Sequence, residues 1–99
     1  MKLEEITIER VKESYEKTGL KPGKFKTPGC ACALQTLAKE VLGSERYWFK
    51  ILDYEDDDSL TSFTHGFDFP EETKRLEWYN GERLEAFLKG QEIAKALGL

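Results

Sequence analysis

Apolar residues recur at three- and four-residue spacing in stretches cut short by glycine and proline, and this punctuation restricts the chain to short helices packed on one another. Thr7 is a good N-cap, Glu9 lies in the first turn, and Ile6 and Val11 bracket the cap as a hydrophobic staple. Ile8, Val11 and Tyr15 then share one helical face. Gly19 suits the position after the helix, Leu20 supplies the apolar contact that follows, and Pro22 forbids continuation. A second helix is expected to start at Thr27-Pro28-Gly29, with Thr27 as cap and Pro28 in the first turn, and to stop at Gly43. Cys30, Ala33, Leu34, Leu37, Ala38 and Val41 form its core side.

Ser44 opens a third helical stretch with Tyr47, Ile51 and Tyr54 in one stripe. Asp58 or Ser59 is expected to cap a short helix carrying Leu60, Phe63 and Phe67. The last helix is expected from about Glu82 to Leu97, capped by Asn80 and stapled by Tyr79 and Leu84. Its face reads Leu84, Phe87, Leu88, Gln91, Ala94 and Leu97. Gly90 in its middle costs about 1 kcal/mol against alanine, which points to a close helix contact, and Gly66 is the natural partner. The competing reading of residues 74–86 is a hairpin turning at Asn80-Gly81, which would make the fold α+β. The expectation is an all-α, compact bundle of four to five short helices, built from residues 1–99 as a single domain.

Composition narrows the functions. Charged residues make up 34% of the chain, with 15 basic against 19 acidic and a net charge of -4. An acidic balance argues against duplex nucleic acid as a partner. The longest unbroken apolar run, Cys30 to Leu34, is far below the roughly 20 residues of a membrane span. A cytoplasmic protein with two reduced thiols is expected.

The charge is unevenly placed. Residues 17–26 hold four lysines and no acid, whereas Asp53 to Asp58 holds five acids in six residues. The basic segment adjoins the expected N-terminus of the second helix, where free N–H groups and the helix dipole favour an anion. Lys21, Lys24 and Lys26 can screen a phosphate or carboxylate, Phe25 can stack on a ring, and Thr27 and Gly29 open the backbone to a ligand. Cys30, His65 and Asp68 complete the candidate binding set. Cys30, placed near the start of that helix, and His65, the single histidine, are also the candidates for a nucleophile and its base. The alternative is structural: a small buried thiol and a helix behind a solvated loop. No metal site is expected, because Cys30, Cys32, His65 and Asp68 lack a zinc spacing and the acidic run lacks the glycine of a calcium loop. No cofactor is implied.

Tyr47, Trp48, Phe49, Trp78 and Tyr79 exceed what one face of each helix can bury, so some are expected at a partner surface. Association with further copies of the chain is one way to cover them.

Three blocks carry a resemblance. Ile6 to Pro22 with its Thr18-Gly19-Leu20-Lys21-Pro22 ending, Gly29-Cys30-Ala31-Cys32-Ala33-Leu34, and Phe63-Thr64-His65-Gly66-Phe67-Asp68 are similar to a set of small bacterial and phage proteins of uncharacterised function. The closing helix from Gly90 to Leu97 fits as well. Gln35 departs from the pattern, which has a small residue there. The resemblance implies a small helical protein that works by binding. The first expectation is a non-enzymatic module that sequesters a small anionic, nucleotide-derived ligand. The alternatives are a protein-interaction module that blocks a host factor, and a Cys/His thiol enzyme.

Overall fold

In the computed structural model, residues 1–24, 30–52 and 57–99 are described. Among these residues, four α-helices make the bundle: α1 (Ile8–Thr18), α2 (Ala33–Leu42), α3 (Asp57–Asp68) and α4 (Gly81–Ala96). Short 3-10 turns at Leu3–Glu5, Glu45–Lys50 and Lys74–Glu77 link or precede them. The radius of gyration is 12.2 Å, close to the roughly 13 Å of a compact chain of this length. No described helix is long and apolar enough to cross a membrane.

α1 forms where its end signals lie. The Thr7 side chain accepts from the Arg10 N–H, and Gly19 takes the left-handed conformation with φ of 73°. Against α2 it buries Val11, Ser14 and Tyr15. The Thr36 hydroxyl lies 2.8 Å from that of Thr18 and 3.3 Å from that of Ser14, which satisfies these groups in the interface. At its rim Arg10 grips both carboxylate oxygens of Glu40, at 2.8 and 3.1 Å.

α2 begins later than expected. Cys30 and Ala31 run as an extended strand, β2, paired in parallel with Lys21–Pro22, β1. The expected start at Thr27-Pro28-Gly29 is overturned because Cys30 and Ala31 are held in that strand. The Tyr15 hydroxyl donates to the Ala31 carbonyl at 2.6 Å, and Gly23 N–H donates to the same carbonyl at 3.2 Å. The cap is Cys32: its N–H donates to Gln35 Oε1 at 2.9 Å, and its sulfur faces the Leu34 and Gln35 N–H groups. Gln35 thus closes the helix end.

α3 and α4 form the largest helix contact, and it is glycine-to-backbone. A side-chain carbon on Gly66 would lie 2.0 Å from the Phe87 carbonyl oxygen, and one on Gly90 would lie 2.3 Å from the Phe63 carbonyl oxygen. The expected Gly66–Gly90 approach is therefore present. It rotates α4 from the expected face. Ala86, Phe87, Gly90, Gln91, Ile93 and Ala94 are buried, whereas Leu88 is exposed. Ser59 is not a cap; it lies inside α3, which starts at Asp57, and is buried.

The hairpin reading of 74–86 is overturned too. Residues Lys74–Glu77 form a 3-10 turn, and Asn80 stands in the extended cap position of α4. Two contacts fix this arrangement. Gln91 Nε2 donates to the Phe69 and Glu72 carbonyls at 3.1 and 2.7 Å, and the Tyr79 ring packs on Phe87 with centroids 5.2 Å apart.

Candidate functional site

Of the expected binding set, Phe25, Lys26, Thr27 and Gly29 lie outside the described residues, as do Tyr54 and the acids at 53, 55 and 56. Lys21 and Lys24 are exposed. Cys30 is half-buried in β2 and packs on Gly23, where a side-chain carbon would meet its sulfur at 2.8 Å. It therefore precedes the cap of α2 and does not occupy the first turn. The N-terminus of α2 is sealed: Ala31, Cys32, Ala33 and Leu34 are fully buried, and Cys32 and Gln35 occupy its first N–H groups. Burial pushes the Cys32 thiol up to about 12, which keeps it protonated and inert at neutral pH.

His65 is half-buried in α3, and its Nδ1 lies 3.3 Å from the Tyr79 hydroxyl. Among the described residues, no hydrogen bond joins Cys30 to His65. No described group of three or more His, Cys, Asp or Glu residues is arranged to hold a metal ion.

Lys24 and Asp68 do meet in one place. They line a cleft of about 540 Å³ with Phe69, Glu72, Lys74 and Leu99. The Lys24 ammonium sits over the Phe69 ring at 5.0 Å from its centroid. The lining is mixed in sign, because Asp68, Glu71 and Glu72 oppose Lys24 and Lys74. The C-terminal end of α3, with its negative dipole, closes at Asp68. Phe69, Lys74 and Leu99 carried no sequence signal for this position.

A second surface lies where α2 leaves the core. Leu34 and Leu37 are fully buried, yet Val41, four residues past Leu37 on the same face, is 52% exposed. Leu42 is 42% exposed, although Ala38, four residues before it, is fully buried. Val41 is thus corrected from core to surface: the apolar stripe continues past the buried part of the helix. After the left-handed Gly43 (φ of 85°), the Glu45–Lys50 turn adds Tyr47 at 40% and Phe49 at 48% exposure. The helical stretch expected from Ser44 is a 3-10 turn over Glu45–Lys50, with Tyr47 off helical geometry at ψ of 21°.

The Lys50 ammonium lies 5.0 Å from the Tyr47 ring and 5.8 Å from the Phe49 ring, so both aromatics border one cation. Trp48 turns the other way and packs on the core. Residues 39–50 thus carry four exposed apolar side chains, Val41, Leu42, Tyr47 and Phe49, together with the exposed cations Lys39, Arg46 and Lys50. Of the other aromatics, Trp78 is also exposed.

Comparison with family models, with curated proteins and with solved structures finds no match to this chain.

Proposed function

We propose that this protein is a non-enzymatic protein-interaction module, and that Val41, Leu42, Tyr47 and Phe49 are its binding face. One observation carries the reading: a helical stripe buried at Leu34, Leu37 and Ala38 continues uncovered into Val41 and Leu42. Helical periodicity calls for an apolar neighbour at these residues, yet Val41 and Leu42 stay exposed. Aromatic anchors beside the stripe and cations at its rim are the usual make-up of a protein interface. Resemblance to small bacterial and phage proteins supports a cytoplasmic module that engages a host protein. The test compares affinity capture by the wild type and by a Leu42→Ser/Phe49→Ser variant. Both positions are solvent-exposed, so the fold survives. The reading predicts a protein retained by the wild type and lost from the variant; identical captured sets contradict it.

A specific observation keeps a second reading in view. Lys24 and Lys74 line one cleft beside the Phe69 ring, a pairing of cations with an aromatic surface that suits a small anionic ligand such as a nucleotide. Opposing Asp68, Glu71 and Glu72 make that cleft less favourable to an anion than lysines alone would. Thermal shift with a nucleotide panel tests it, and stabilisation lost in Lys24→Ala would bring this reading forward.

A further inference from the structure

The apolar face has a counterpart on the same molecule. A groove of about 620 Å³ runs between the Leu3–Glu5 turn and α4. Leu3 and Leu88 form its apolar part, and Glu4, Glu82, Glu85 and Glu92 surround them. Only Lys2 and Lys89 oppose these four acids. Leu88 is 45% exposed, so the groove presents uncovered apolar surface within a negative rim.

The face has the reverse charge. Lys39, Arg46 and Lys50 form no ion pair among the described residues. Among the described residues of this stretch, Glu40 is taken up by Arg10 and Lys17, at 2.8 and 3.5 Å, and Glu45 is exposed. Among the described residues, cations without an ion pair thus accompany the exposed Tyr47 and Phe49, and acids surround the exposed Leu88 and the half-buried Leu3.

We propose that the Val41–Phe49 face of one copy docks on the Leu3–Leu88 groove of a second copy. The proposal rests on the interaction-module reading of this face and assigns it a second copy of the chain in place of a host protein. Opposite charges meet across an apolar centre, which gives both steering and burial. A stable interface of about 800 Å² per partner takes roughly a seventh of the 5858 Å² surface of the chain. Because the two patches differ, the contact is head-to-tail: each copy in a pair retains one free patch, so association continues with concentration. The same surfaces fit single-stranded nucleic acid or an acidic bilayer less well. Val41 and Leu42 offer no stacking partner to a base, and the groove would repel phosphate.

Sedimentation velocity over a wide concentration range tests this, with two charge-reversed variants, Lys39→Glu/Lys50→Glu on the face and Glu85→Lys/Glu92→Lys in the groove. All four positions are at the surface, and circular dichroism confirms the fold of each variant. Wild-type average mass should rise with concentration and fall with added salt. Each variant alone should associate at least about tenfold more weakly, the equivalent of losing one favourable charge contact. Mixing the two variants should restore association, since each reversed patch then meets its complement. A wild type that stays monomeric, association indifferent to either reversal, or a mixture that fails to recover overturns the proposal. If the face reversal alone disrupts association, the contact is face-to-face and the proposal fails. A monomeric wild type would leave the interaction-module reading standing, because that reading is judged separately by the Leu42→Ser/Phe49→Ser comparison.

Discussion

Gly66 and Gly90 stand in reciprocal contact: each faces the backbone of the other's helix. Gly66 meets the carbonyl of Phe87, and Gly90 meets the carbonyl of Phe63. In both helices the contacted phenylalanine lies three residues before the glycine, so the same Phe-x-x-Gly arrangement occurs on both sides of the crossing. Backbones this close admit Cα–H···O contacts and leave no room for a methyl group.

Gly66→Ala and Gly90→Ala should each destabilise the fold by about 1–3 kcal/mol, because the new methyl meets backbone that cannot rotate away. In a domain of this size 1 kcal/mol shifts Tm by about 4–8 °C. Gly43→Ala is the comparison. It has open space around it and only a positive φ to resist substitution, so it should cost about 1 kcal/mol. Thermal melts by circular dichroism give the ranking. Equal losses at all three sites would contradict the close crossing.

Arg10 and Glu40 should make stability depend on acid. The paired guanidinium holds the Glu40 carboxyl below its ordinary value, through hydrogen bonds first and charge second. The group binds a proton less readily when folded, so its contribution is complete above the unfolded-state value of about 4.3. It is then lost as pH falls through the lower folded value. The bidentate geometry suggests about 1–2 kcal/mol. Urea denaturation from pH 7 down to pH 3 should show a steeper fall for the wild type than for Glu40→Gln. Parallel curves would place the acid sensitivity elsewhere.

The two thiols should differ sharply in reactivity. Cys32 is fully buried, and burial raises its thiol to about 12, whereas Cys30 is half-buried. Alkylation of the native protein near pH 8, read by peptide mass spectrometry, should label Cys30 alone. Cys32 should react only after denaturant is added. Equal labelling of both in the native state would contradict the sealed start of α2.

Gln91 should control the segment that borders the Lys24–Lys74 cleft. Its amide is the donor to both the Phe69 and Glu72 carbonyls. Gln91→Leu removes that donor while leaving comparable volume; the Phe69 carbonyl keeps the Glu72 N–H at 3.1 Å, and the Glu72 carbonyl loses its donor from Gln91 at a cost of about 1–3 kcal/mol. Hydrogen exchange in residues 69–77 should quicken more than in α1. An unchanged ratio would mean the clamp holds nothing.

Local signals reported much of the fold. Thr7 and Gly19 bound α1, and a glycine tolerated in mid-helix at Gly90 marked the α3–α4 crossing, because local cost implies a compensating contact. What escaped was non-local. Thr27-Pro28 is a valid helix start by its own chemistry, but Tyr15 reaches across to Ala31, and Cys30–Ala31 pair as a strand ahead of the helix. Periodicity tells which side of α2 faces the core but not where the core ends, and Val41, on that side, lies beyond it. Of the binding set, Lys24 and Asp68 do share a cleft. Phe69, Lys74 and Leu99 reach it only through the tertiary path of the chain. The surplus of aromatics around Tyr47 to Phe49 was the one legible hint of the apolar face.

Benzophenone-based cross-linking tests that face directly. p-Benzoylphenylalanine in place of Phe49, irradiated inside the cell that makes the protein, should yield a defined protein adduct. The same group in place of Glu16, exposed on α1, should not. A Phe49 position that gives no more adduct than Glu16 would contradict the account.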